Sequence, residues 1–95
     1  MMQDYNILAE LMGILGRKWV VPLLFFLLIY EQATFTRLKK HLKVTSRALS
    51  KKLKLLEAFG LIEKILIDNP RKFAYRLSDK GRNISNAISA LAANN

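Results

Sequence analysis

Every residue from Trp19 to Tyr30 is apolar. A helix of that composition has no face to give to water, so it must be enclosed on all sides. Either the rest of the chain or a membrane has to do this, and length decides between them. At about 1.5 Å per residue the run reaches about 18 Å, against about 30 Å for a hydrocarbon core. Arg17 and Lys18 precede it directly and Glu31 ends it. It also starts too late for a signal peptide, with neither the n-region nor an A-x-A cleavage site before it. The run therefore reads as a central buried helix over about 20–30. Pro22 lies in its first turn, where a missing N–H costs nothing. A cytoplasmic location is expected, with no membrane partner.

The rest of the chain must supply the cover. With 95 residues it makes one small domain. A chain of this size buries about 60–65% of its unfolded surface, an adequate core without a surplus. At 52% hydrophobic it is not a disordered tail, and four glycines with two prolines exclude collagen-like or low-complexity classes. Cysteine is absent. That excludes disulfides, zinc–thiolate and iron–sulfur sites, and sensing through a thiol.

Periodicity predicts the covering elements. Asp4 can cap a first helix over about 4–16, with Ile7, Leu8, Leu11, Ile14 and Leu15 on one stripe and Gly16 at its end. After the central helix, Ala33 to Phe35 is long enough only for a bridging strand. Thr36 is the expected cap of a short third helix over 37–42, with Leu38 and Leu42 inward. Lys43 and Val44 form a tight turn, and Thr45 or Ser46 caps a fourth helix to about Phe59. Gly60 stands where a left-handed residue closes a helix. Leu61 to Ile67 and Lys72 to Leu77 read as two strands joined by the turn residues Asp68, Asn69, Pro70 and Arg71. Ser78 caps a last helix over about 79–92, with Ile84, Ile88 and Leu91 in one stripe. The order is helix, helix, short strand, helix, turn, helix, hairpin, helix. This is a mainly α chain with a small β-hairpin (α+β), arranged as a winged helix-turn-helix.

Charge is distributed unevenly along these elements. The chain carries 16 Lys and Arg against 7 Asp and Glu, for a formal +9. Residues 35–82 hold fourteen of the bases and four of the acids, while residues 83–95 hold no charge. A field this strong and this localised suits a polyanion. On the fourth helix, Leu49, Leu53 and Leu56 define one side. Arg47, Ser50, Lys51 and Lys54 recur on the other. Such stripes are ordinarily the solvated side of a helix, and a solvated side normally mixes signs. Here no acid occurs between Glu31 and Glu57.

A B-DNA major groove about 12 Å wide admits such a helix, with its N-terminal residues nearest the bases. Arg47 is placed for a bidentate contact to guanine, and Ser46 and Ser50 for bases or phosphates. Lys51 and Lys54 are placed for phosphates. Arg37, Lys39, Lys43 and Thr45 add to the DNA-facing set. Arg71 and Lys72 would put a cationic hairpin tip on the backbone or in the minor groove.

These residues fall into stretches that together resemble the HxlR-type regulators, a branch of the winged helix proteins near the MarR-like group. The matching stretches are Gly16-Arg17-Lys18-Trp19, Phe35-Thr36-Arg37-Leu38, and Ser46 through Leu53. Leu55 through Ile62 and Asn69 through Gly81 complete the set. They span about 16–81. The resemblance implies a homodimeric transcription regulator on a pseudo-palindromic site of double-stranded DNA. It also implies a dimer built from the two terminal helices. Tyr5, Leu8 and Met12 on the first helix and Ile84, Ile88 and Leu91 on the last are the candidate interface. Two-fold symmetry would set the recognition helices about 34 Å apart. Many relatives carry a cysteine before the first helix, and some sense electrophiles with it; this chain has none.

The remaining singular residues suggest no chemistry. His41, the one histidine, stands among Lys39, Lys40 and Lys43 and reads as an exposed helix-end residue, with a phosphate contact as the alternative. Trp19 reads as a core anchor, and Tyr30 and Tyr75 as core edges with wet hydroxyls. Glu57 and Glu63 read as solvated or ion-paired. There is no acid–base constellation, so neither an enzyme nor a cofactor is expected. The competing readings are a non-specific nucleic-acid binder and a protein-interaction module on the same fold.

Overall fold

The computed structural model describes residues 2–68 and 72–93; Asn69, Pro70 and Arg71, expected at the hairpin tip, lie outside the described residues. Five helices and three strands follow one another as α1 (Met2–Leu15), α2 (Val20–Tyr30), β1 (Gln32–Ala33), α3 (Phe35–Leu42), α4 (Ser46–Ala58), β2 (Ile62–Asp68), β3 (Lys72–Leu77) and α5 (Asp79–Ala93). The strands form one antiparallel sheet in the order β1-β3-β2.

The apolar run is α2, enclosed as its composition requires. Val20, Leu23, Leu24 and Leu27 are completely buried and Phe26 nearly so. Ile14 of α1, Leu38 and Leu42 of α3, and Leu49, Leu53 and Leu56 of α4 pack into the same core. Leu61, Ile62, Tyr75 and Leu77 of the hairpin join them. No single described helix is long and apolar enough to cross a membrane; α1 and α2 bend by 86° across the short break between them.

Three element boundaries differ from expectation. Asp4 lies inside α1 instead of capping it. The bridging strand is Gln32–Ala33 and not Ala33–Phe35. The cap of α3 is Thr34, not Thr36. Thr34 is extended (φ −75°, ψ 163°), and its hydroxyl accepts from the Arg37 amide at 3.3 Å. The reason is packing: Phe35 packs against the core as the first residue of α3, which moves Thr36 into the first turn. Trp19, expected as a core anchor, is half-buried and is not part of the core cluster; it is the left-handed residue (φ 72°) from which α2 starts, and the Lys18 ammonium lies over its ring.

The end of α4 is tied to the start of α5. Gly60 takes φ 71°, the left-handed conformation that costs a glycine least. The Lys80 ammonium donates to the Phe59 carbonyl at 3.2 Å, and the Ser78 hydroxyl donates to the Gly60 carbonyl. Orphan carbonyls at a helix end thus find donors on the next helix. The same Ser78 oxygen accepts from the Gly81 amide at 3.0 Å and so caps α5. Gly81 lies against Leu61 so closely that a Cβ there would overlap the Leu61 carbonyl oxygen.

Candidate nucleic-acid interface

Local chemistry sets the start of α4. The Thr45 hydroxyl accepts from the Ala48 amide at 3.1 Å, so of the two residues expected to cap α4, Thr45 does so and Ser46 is its first residue. The turn before it closes through Lys43, which takes the left-handed conformation (φ 55°) and donates its amide to the Lys39 carbonyl at 2.9 Å. With Leu49, Leu53 and Leu56 buried, α4 can present only one side. Arg47, Lys51 and Lys54 are exposed on that side, and Ser50 is half-buried.

The other expected residues fall around it. Lys39 and Thr45 are exposed, as are Lys43 and Ser46. Lys72 is exposed at the outer end of β3; Arg71 lies outside the described residues. Arg37 is held in place. Its guanidinium lies 4.7 Å from the Tyr30 ring centre and 5.2 Å from that of Phe26. His41 is exposed at its expected place, and its ring lies against Phe26 with 4.4 Å between centres. Cation–aromatic stacking of this kind fixes a guanidinium without neutralising it, leaving its donors for a phosphate. The sequence offered no spacing rule that would pair Arg37 with residues of α2.

The hairpin has two chemically distinct faces. Register pairs Ile62 with Leu77, Lys64 with Tyr75 and Leu66 with Phe73 on one; Glu63 with Arg76 and Ile65 with Ala74 lie on the other. Glu63 and Arg76 make an ion pair at 3.0 Å, which decides between the solvated and the ion-paired readings of Glu63. The first face begins in the core and runs outward past the helices. There it meets α3 across an open cleft of about 790 Å³, lined by Thr34, Phe35, Thr36, Arg37, Lys40, Lys64, Lys72, Phe73 and Tyr75. Lys64 was not singled out in the sequence, because a strand's outward register is fixed only by its partner; Lys40, on α3, was named only as a cation beside His41. Burial pushes the Tyr75 hydroxyl above its ordinary pKa of 10.0, and the Glu57 carboxylate adds to the shift.

Of the residues expected at a dimer interface, Tyr5, Leu8 and Met12 of α1 are 70%, 55% and 60% exposed, and Leu91 of α5 is 69% exposed. Ile84 and Ile88 are half-buried; Ile84 packs against this chain's own core. The stripe on α5 is therefore divided, its first part inward and its last part open.

A helix-turn-helix set between the first strand of a three-stranded sheet and the hairpin that completes it defines the winged helix class of DNA-binding proteins. The chain belongs to the HxlR-like helix-turn-helix family, whose model matches residues 14–94. It is 31% identical over 93 residues to the HTH-type transcriptional regulator YtcD of Bacillus subtilis (strain 168), covering 96% of this chain and 74% of that one. A transcriptional regulator homologue from Pyrococcus horikoshii OT3 shares 27% identity. Its solved structure superposes with a TM-score of 0.75, covering 93% and 92% of the two chains. The reduced form of the regulator YodB from B. subtilis, 22% identical, shows the same fold at a TM-score of 0.76 over 90% and 84%. The chain is thus a transcription regulator of the helix-turn-helix type and not an enzyme.

Proposed function

We propose that the protein is a cytoplasmic, homodimeric regulator that binds a pseudo-palindromic site in double-stranded DNA sequence-specifically. In this reading α4 enters the major groove and the hairpin lies on the backbone or in the minor groove. The observation that carries it is the outer side of α4. Arg47, Lys51 and Lys54 are exposed there, continuous in sequence with Lys39 and Lys43, and no acid interrupts residues 32–56. Arg47, at the helix start, reads bases; Lys51, Lys54, Lys39, Lys43, Arg37 and Lys72 anchor phosphates. Ser46, Ser50 and Thr45 lie at the same end of α4, and Arg71, between β2 and β3 in sequence, completes the set.

Support for the dimer is the exposure of Tyr5, Leu8 and Met12 on α1 and of Leu91 on α5, together with the absence of charged side chains from residues 83–95. Tyr5, Leu8 and Met12, at i, i+3 and i+7, share one face of α1, and an exposed apolar stripe of this kind normally marks an interface. Ile84 and Ile88 would border it. Selection of bound sequences from a random duplex pool tests the reading. It expects one enriched site with two inverted halves about one helical turn apart, bound at least ~10³-fold tighter than random duplex. A pool left unenriched contradicts sequence-specific binding.

A further inference from the structure

The cleft between α3 and the hairpin holds more chemistry than a phosphate anchor requires. Four cations surround it, Arg37 and Lys40 from α3 and Lys64 and Lys72 from the hairpin, with no carboxylate among the described residues that line it. The described ion pair of the hairpin, Glu63 with Arg76, uses its other face. Four like charges around one space repel one another, and an anion carrying more than one charge relieves this. Arg37 is preorganised by its stacking on Tyr30 and Phe26, and a guanidinium fork matches a phosphate.

Three rings and two threonines, Thr34 and Thr36, form the rest of the lining. Phe35, Phe73 and Tyr75 border the cleft, and Phe73 already has the Lys64 ammonium 4.7 Å from its centre. A duplex turns its bases inward to pair, so a DNA backbone would use the cations and leave these rings idle. A small molecule with both a phosphate and a planar ring would use both. The space, about 790 Å³, lies in the range of small-molecule sites.

We infer that this cleft is a binding site for a nucleoside phosphate, its phosphate held by Arg37, Lys40, Lys64 and Lys72 and its ring packed against Phe35, Phe73 and Tyr75. Arg37 and Lys72 also belong to the DNA-facing set. An occupied cleft and a bound duplex therefore compete for the same two cations, which makes the site a means of regulation. Binding to the cleft itself does not rest on the DNA reading, and its test contains no DNA.

Isothermal titration calorimetry of the intact protein with AMP, adenosine and inorganic phosphate separates the contributions. AMP is expected to bind saturably, one per chain, at least tenfold tighter than adenosine or inorganic phosphate. Lys64→Ala and Phe73→Ala should each weaken AMP about tenfold. Both side chains are exposed, so circular dichroism should show the fold intact. Lys18→Ala, an equal loss of charge outside the cleft, should change AMP binding by less than twofold. AMP binding no tighter than inorganic phosphate, or weakened as much by Lys18→Ala as by Lys64→Ala, overturns the inference.

Discussion

Arg47 and Lys72 present similar charges and are assigned different work by position. Arg47 opens a helix whose N-terminal end approaches base edges; Lys72 stands on a strand beside the hairpin tip. Arg47→Ala should cost about 1–3 kcal/mol on the preferred site alone and flatten preference at one base position. Lys72→Ala should weaken preferred and random duplexes by the same factor. Competition binding with both duplexes measures the pair, and equal losses on the two duplexes for Arg47→Ala contradict its role in base reading. Tyr75 supports a prediction of another kind. Its pKa is raised in the fold, so below pH about 10 both folded and unfolded chains keep the proton. Above that pH the unfolded chain ionises first, and stability falls as pH rises through the folded pKa. Urea unfolding between pH 8 and 11 should show this decline in the native chain and a shallower one in Tyr75→Phe.

At the scale of elements, the helices were legible because their periodicity and caps are local. Leu49, Leu53 and Leu56 announce α4, and Gly60 announces its end. What was not legible depended on partners distant in sequence. Thr34 and Thr36 are equivalent as caps until Phe35 is seen to pack against the core. Gly81 is an ordinary helical residue until Leu61 is placed against it. Arg37 gained its aromatic support from α2, and Lys64 its place on the cleft from the register with Tyr75. The contact between the ends of α4 and α5 gives a direct test. Gly81→Ala would drive a methyl group into the Leu61 backbone and should destabilise by about 1–3 kcal/mol. Gly13→Ala meets open space inside α1 and should stabilise by up to about 1 kcal/mol. Urea midpoints at constant slope compare the two, and the same sign for both would contradict the packing described here.

For the whole molecule, two sets of exposed side chains differ in character. The cations lie on α3, α4 and the hairpin, and the large exposed apolar side chains of the terminal helices on α1 and α5. A dimer joined through α1 and α5 would present two sets of cations to one duplex. Leu8→Glu with Leu91→Glu places charges on residues with no core role. Sedimentation should then show a folded monomer where the native chain is a dimer, and a native chain that stays monomeric at micromolar concentration contradicts the interface.

DNA binding through the cations of α3, α4 and the hairpin is tested most directly by its dependence on salt. With ~6–10 phosphates neutralised by the dimer, log K against log salt for the selected duplex should fall with a slope of about −5 to −9. A slope near zero, or no binding at the lowest salt, would contradict it.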